Sequence, residues 1–164
     1  MDIFGFRFNI IKGRPKASGI LVQDIGVDGK TRTYLSAYNR LGSEIAVGQP
    51  MTLDYDNTYG CKAIANATTG SEVYKQTGAP QVKVPAAKLW WFQIGGPGKA
   101  LVDGSAAVVA GDALEVINAG TAFIKAASAR ELATGAIAAV AQAVASAVLV
   151  DVEFIPERHS IEAA

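Results

Sequence analysis

The sequence predicts a mainly β protein: a small β-barrel or β-sandwich of jelly-roll or tulip-like type, with an extended N-terminal arm and at most one short helix. Residues 102–156 contain short runs of Val, Ile, Leu and Ala separated by small-residue turn signals, a pattern typical of buried strands. Earlier in the chain, Asp28-Gly29 lies between two strand-like segments and predicts a two-residue hairpin turn. Near the end, Val, Leu and Phe alternate with Asp151 and Glu153, as in a strand with one face in the core.

Residues 1–18 are predicted to form the arm and residues 19–164 a single β domain. The arm combines aromatic residues at every second position with basic residues around Gly13 and Pro15, and Pro15 favours an extended backbone. Aromatic side chains on one side of an extended segment require burial. Two hypotheses remain open: the arm lies across a neighbouring subunit or larger partner, or it packs on its own domain. The candidate contact residues are Phe4, Phe6, Arg7, Phe8, Lys12, Arg14 and Lys16.

A second candidate interface is the aromatic run Trp90-Trp91-Phe92. Adjacent side chains of a strand point to opposite faces, so Trp90 and Trp91 need cover on both sides of a sheet. Tryptophan is enriched at interface hot spots, which makes both residues candidates for partner contact. Burial on both sides within the domain explains the pattern equally well. The following Gly-Gly-Pro-Gly-Lys sequence lacks the residues of a phosphate-binding loop and is interpreted as a turn between strands.

Residues 136–147 leave the type of secondary structure open. Alanine is the best helix former, and Ile137, Val140, Val144 and Val148 lie near helical spacing, so an amphipathic helix is one alternative. The shared parity of Val140, Val144 and Val148 with the following strand favours the other alternative. We therefore expect two strands, 136–144 and 147–155, after a short helix or turn at 128–134.

Composition limits the possible functions. The formal net charge is zero, whereas nucleic-acid binding usually needs an excess of Lys and Arg. Only 18% of the residues are charged, which fits either a chain that hides surface against partners or a monomer that is very rich in Ala and Gly. The longest apolar run, 136–150, is too short and too alanine-rich to cross a membrane. We expect no nucleic-acid partner and no membrane insertion.

Catalytic and metal-binding chemistry is not predicted. Cys61 and His159 are each the sole residue of their type, which argues against an intrachain disulfide, a Cys/His zinc site and a nucleophile activated by histidine. Asp54, Asp56 and Asn57 resemble the start of a calcium loop but lack the glycine and the closing glutamate. We therefore expect a protein that is not an enzyme, with no catalytic residue, no metal and no cofactor.

Three segments of the second half form a recognisable series. They are Ala-Ala-Val-Val-Ala-Gly-Asp-Ala-Leu at 106–114, the alanine-rich segment 136–147 and the alternating strand 148–154. In this series the chain resembles the capsid decoration (cement) proteins of tailed bacteriophages. The segment 45–51, Ile-Ala-Val-Gly-Gln-Pro-Met, also resembles an early strand entry of that family. About two-thirds of the chain is covered, and the arm lies outside it.

This resemblance implies a non-enzymatic protein of the virion that binds the outer surface of the major capsid protein lattice and stabilises the expanded capsid. It also implies a homotrimer, located on the capsid surface and in the host cytoplasm during assembly. The alternative is a phage tail or host-recognition β subunit that binds a glycan or protein receptor. A small enzyme or ligand carrier is a third hypothesis, which the single His and Cys disfavour.

Overall fold

A computed structural model describes residues 13–56, 60–64, 76–116, 120–126 and 135–156. Within these ranges the chain forms ten β-strands and no helix, which confirms the predicted mainly β fold. The strands are β1 (Leu21–Ile25), β2 (Thr31–Asn39), β3 (Met51–Asp56), β4 (Gly60–Ile64), β5 (Gln76–Gly78), β6 (Leu89–Asp103), β7 (Ala113–Glu115), β8 (Ile124–Lys125), β9 (Ala136–Ala138) and β10 (Ala147–Phe154). The short helix or turn expected at 128–134 lies outside the described residues, as does most of the arm.

The strands follow the hydrogen-bonded order β5-β3-β4-β2-β6-β10-β9-β7-β8, and β1 also pairs with β2. The pairings are antiparallel except for β2 with β4, where Tyr38 lies opposite Lys62. The first part of β6 pairs with β2 from Leu89 to Gly95, and its second part pairs with β10 from Gly96 to Asp103. This strand of 15 residues therefore belongs to both halves of the fold.

A bend in β6 separates its two parts. The pairing with β2 shifts register between Thr33 and Tyr34, and Gly96 has a φ of 79°, a conformation that strongly favours glycine. The amide of Gln93, which is 1% exposed, lies 2.9–3.1 Å from the carbonyl oxygens of residues 95, 96 and 97. The predicted turn between strands at this Gly-Gly-Pro-Gly sequence is wrong, because β6 continues through it. Glycine and proline occur both in turns and at bends within a strand, so the sequence alone does not distinguish the two.

Two buried apolar clusters form the core. The N-terminal cluster contains Ala37, Ile45, Met51, Leu53, Val84, Phe92 and Ile94. The C-terminal cluster contains Ala79, Ala100, Val102, Val108, Leu114, Phe123, Ala136, Ala138, Val152 and Phe154. Strand β6 contributes to both clusters, and Ala79 joins the C-terminal cluster although it precedes β6 in the chain. The extent of the single domain, 19–164, stays a prediction.

The β1–β2 hairpin is present where Asp28-Gly29 predicts it, but its loop is longer. Gly26 and Lys30 pair through a hydrogen bond of 3.0 Å from N to O, and Gly29 N donates to Gly26 O at 2.9 Å. The loop therefore has three residues, the last of which, Gly29, has a φ of 73°. This is the arrangement of a type I turn followed by a left-handed residue. The predicted two-residue turn is wrong by one residue.

The alternatives for 136–147 are resolved in favour of strands. No helix is present in 135–156, and β10 covers Ala147–Phe154, within one residue of the prediction. Strand β9 is shorter than expected and ends at Ala138. Beyond it the backbone makes a single bridge between Val108 and Gln142. The side chain of Gln142 binds the local backbone, including N of Val144 at 3.1 Å, which replaces regular pairing.

Candidate interaction surface

Residues 13–20, which we call the arm root, lie on the sheet face opposite the N-terminal cluster. They cover Ser36 of β2, whose backbone accepts from Gly19 N at 2.7 Å and donates to Ile20 O at 2.9 Å. The Ser36 hydroxyl donates to Ala17 O at 2.8 Å and accepts from Ile20 N at 2.8 Å. Because Ser36 is fully buried, these bonds satisfy polar groups that water does not reach. The arm root is thereby fixed to its own domain.

Trp91 fixes the outer end of the arm root. It lies opposite Ser36 in the β2–β6 register, is 5% exposed, and its indole N–H donates to Gly13 O at 2.9 Å. Trp90 is half-buried on the other face of β6 and packs against the N-terminal cluster. The prediction that the two tryptophans point to opposite faces is confirmed, and both contact this chain's own core or arm root. Their predicted contact with a partner stays a prediction.

The basic residues of the arm root face solvent. Arg14 and Lys16 are both exposed, whereas Pro15 between them is buried. Neither basic side chain has an ion-pair partner among the residues that the structure describes. The arm root therefore presents two positive charges while its backbone is held on the sheet. Phe4, Phe6, Arg7, Phe8 and Lys12 lie outside the described residues, so their predicted contacts stay predictions.

The β1–β2 hairpin carries a salt bridge between two oppositely charged side chains. Arg32 and Asp28 form a salt bridge of 2.8 Å, and Arg32 Nε donates to Pro97 O at 3.0 Å. The hydrogen bond from Arg32 holds the pKa of the Asp28 carboxyl well below its usual value, and the same bond raises the pKa of Arg32. Burial raises the pKa of the neighbouring Tyr34. Since Arg32 is paired within the chain, its charge serves the hairpin rather than a partner.

A surface in the C-terminal half was not predicted as a candidate. Val109, Val140 and Val144 were interpreted as parts of buried strands, yet they are 54%, 41% and 56% exposed. They lie in 104–111 and 139–147, two segments without a charged residue. The absence of charge can be seen in the sequence, but valines at this spacing also fit a buried strand. The exposure of the valines is seen only in the structure.

The described ranges contain neither a metal-binding group of side chains nor a membrane-spanning helix. No group of three His, Cys, Asp or Glu residues there could hold a metal ion. No helix in the same part of the chain is long and apolar enough to cross a membrane.

Comparison with known proteins gives a structural likeness but no sequence match. No family model matches the chain, and no curated protein sequence matches it. Among solved structures, it is similar to the N base of the head fiber protein gp8.5 of bacteriophage phi29. The identity is 9%, the match covers 76% of this chain and 94% of the other, and the TM-score is 0.49. This match describes a similar chain trace and assigns no function.

Proposed function

We propose that this chain is a non-enzymatic structural protein of a bacteriophage head, which binds the outer surface of the major capsid protein lattice and stabilises the expanded capsid. The proposal is carried by the attachment of the arm root to its own sheet at Ser36 and Trp91. This attachment presents the start of a twelve-residue aromatic and basic segment at the exposed residue Gly13.

The sequence pattern of residues 1–12 suits contact with a neighbouring protein. Aromatic residues at every second position suit addition of the arm as a strand to the edge of another sheet, where alternate side chains enter pockets. The exposed Arg14 and Lys16 would meet acidic groups of the capsid surface at the base of the arm.

A single arm does not need to bind tightly, because a capsid lattice offers several binding sites at once. A homotrimer that engages several capsid proteins at once binds each further site at a high effective concentration. Modest contacts from each arm then add to firm attachment on a symmetric surface. The protein acts at the capsid surface of the virion and reaches it from the host cytoplasm during assembly.

The test is co-sedimentation with expanded heads of the phage that encodes the chain. Deletion of residues 1–12 preserves the arm root, and we expect head binding to weaken about a hundredfold or more. The double variant Arg14→Glu, Lys16→Glu should weaken binding about tenfold at low salt and less at high salt, because salt screens exposed charges. Lys30→Glu, at the exposed hairpin loop, is the matched control and should bind like the wild type.

Undiminished head binding by the deletion variant, with far-ultraviolet circular dichroism unchanged, would exclude the arm as the attachment. Heads carrying the wild-type chain should also rupture at a higher temperature than bare heads. Saturable binding to a glycan or protein receptor, with none to heads, would instead favour a tail or host-recognition subunit.

A further inference from the structure

The second exposed feature of the molecule is an uncharged apolar surface in its C-terminal half. Residues 104–111 and 139–147, which we call the valine–alanine surface, are exposed apart from Gly104, Val108 and Gln142. Its exposed members are Val, Ala, Gly and Ser. Exposed apolar surface without a charged residue is a feature of interaction sites, so this surface suggests an interface.

The two segments form one contiguous surface because they pair with each other. Val108 and Gln142 exchange backbone hydrogen bonds of 2.8 and 2.9 Å. At the two ends of this pairing, Gly104 N donates to Val144 O at 3.0 Å and Gly111 N donates to Ala138 O at 2.8 Å. A Cβ added at Gly104 would lie 2.8 Å from Gln142 O, which shows how closely the backbones approach. The exposed Val109, Val140 and Val144 therefore belong to one pair of hydrogen-bonded segments, with Val144 towards one end of the pairing and Val109 and Val140 towards the other.

Two polar side chains, the buried Gln142 and the partly exposed Asp112, fix the backbone of this surface. The amide of Gln142, which is 5% exposed, accepts from Val144 N at 3.1 Å and lies 3.3 Å from Ser146 O. On the other segment, Asp112 accepts from Val109 N at 2.8 Å. A surface fixed before binding loses little conformational entropy when a partner covers it. The valine–alanine surface is thus a preformed contact surface.

The charges at its rim are bound within the chain. Asp112 forms a salt bridge of 2.8 Å with Lys125, and this bond lowers the pKa of the Asp112 carboxyl. Asp103 accepts from the hydroxyl and the N–H of Ser105 at 2.6 and 2.8 Å, which lowers its pKa in the same way. The charge of Asp112 is therefore compensated within the chain by Lys125, whereas Asp103 keeps its negative charge at the edge of the surface.

We propose that the valine–alanine surface is the contact between copies of this chain, packed around a common rotation axis. Near such an axis each residue meets the same residues of the neighbouring copy, so a charged side chain would face a like charge. An uncharged apolar surface avoids that repulsion and gains free energy from burial. This inference deepens the homotrimer part of the proposed function by assigning its surface, and it is independent of how the arm binds the capsid.

The test is the mass of the full chain in analytical ultracentrifugation, without any phage head. We expect the wild type at a multiple of 17.0 kDa, and Val144→Asp and Val109→Asp close to 17.0 kDa. The self-association constant should fall about a hundredfold or more, because each variant would bury an unpaired charge. Val27→Asp is the matched control: Val27 is fully exposed in the hairpin loop, and this variant should keep the wild-type mass.

Chemical cross-linking provides a second readout that does not depend on destabilising the interface. In a Cys61→Ser background, Val144→Cys should cross-link between copies with a short thiol-reactive reagent, and Val27→Cys should not. A wild type at 17.0 kDa at all concentrations, unchanged masses for both aspartate variants, or equal cross-linking at the two cysteines would overturn the inference. Because no capsid is present, each of these results is separate from the outcome of the head-binding test.

Discussion

The buried amides of Asn39, Gln93 and Gln142 hold irregular backbone in place. Asn39 lies 3.0–3.1 Å from three carbonyl oxygens of the loops around it and accepts from Leu41 N at 2.9 Å. Gln93 serves the bend in β6 and Gln142 serves the valine–alanine surface. An amide offers both donors and an acceptor, so it can replace the ladder bonds that a bend or loop gives up. Each of these residues thus fixes the irregular backbone beside it, and Gln142 does so within the valine–alanine surface.

At this scale we predict that Gln93→Leu lowers the free energy of unfolding by about 1–3 kcal/mol, because the carbonyls of the β6 bend lose a buried donor. The measurement is urea unfolding followed by circular dichroism. Gln81→Leu is the matched control: the Gln81 amide also binds backbone, at Lys99, but this contact is exposed and water can replace it. Equal losses for the two variants would show that burial of the Gln93 amide has no special value.

At the scale of the element, the β1–β2 hairpin combines a glycine loop with an ion pair. Asp28 accepts from Lys30 N at 3.1 Å and binds Arg32, whose Nε reaches Pro97 O in the β6 bend. The loop, the ion pair and the bend are therefore linked through one arginine. A Cβ added at Gly26, the residue before the loop, would clash with Arg32 Nη1, so this glycine makes room for the arginine side chain.

The hairpin should make stability depend on pH in the acid range. The folded-state pKa of Asp28 lies below its ordinary value of 3.8, so its contribution to stability is present above that value and is lost as the pH falls through the folded pKa. We expect Asp28→Asn to unfold at a lower urea concentration than the wild type at neutral pH. The difference should shrink below pH 3.8. The contribution is small because the carboxyl is exposed.

The pKa values of Asp103 and Asp112 are also lowered, so both proteins lose stability at acid pH for reasons unrelated to Asp28. The urea midpoints of Asp28→Asn and the wild type are therefore compared with each other at every pH. A difference that stays constant from neutral pH to well below pH 3.8 would contradict the role of the Asp28 charge.

Elements that are encoded by a pattern in a few adjacent residues were predicted well. Elements that depend on contacts between residues far apart in the chain were not. The hairpin follows from Asp28-Gly29, and β10 follows from the alternation of Val152 and Phe154 with acidic residues, both properties of a few adjacent residues. The early end of β9 depends on Gln142 binding the backbone of 144–146 and on the bridge to Val108, which lies 34 residues away. The exposure of Val140 and Val144 depends on the same contacts.

At the scale of the whole molecule, β6 unites the two clusters. Its Phe92 and Ile94 lie in the N-terminal cluster, and its Ala100 and Val102 lie in the C-terminal cluster. Further contacts tie the halves: Leu101 N donates to Gly48 O at 2.8 Å, and a Cβ at Gly135 would lie 2.8 Å from the Thr77 side chain. The continuity of β6 through Gly-Gly-Pro-Gly could not be predicted locally, because it depends on β2 and β10 pairing with its two parts.

We predict from this arrangement that the two halves unfold together. Phe154→Ala removes a side chain of the C-terminal cluster that contacts Phe123 at a ring-centroid distance of 6.4 Å, and it should cost about 3–5 kcal/mol. The two tryptophans, Trp90 and Trp91, both lie in the N-terminal part of β6, so their fluorescence reports the other half. Tryptophan fluorescence and circular dichroism should therefore shift to the same lower midpoint in urea.

Leu53→Ala, in the N-terminal cluster, is the reciprocal variant and should shift both signals together in the same way. If the halves were independent, Phe154→Ala would leave the fluorescence midpoint unchanged and split the circular dichroism transition into two. Coincident transitions in both variants mean that the two clusters unfold as one cooperative unit. The arm root in one half and the valine–alanine surface in the other would then be held in a fixed relation, as simultaneous contact with a capsid lattice and with neighbouring copies requires.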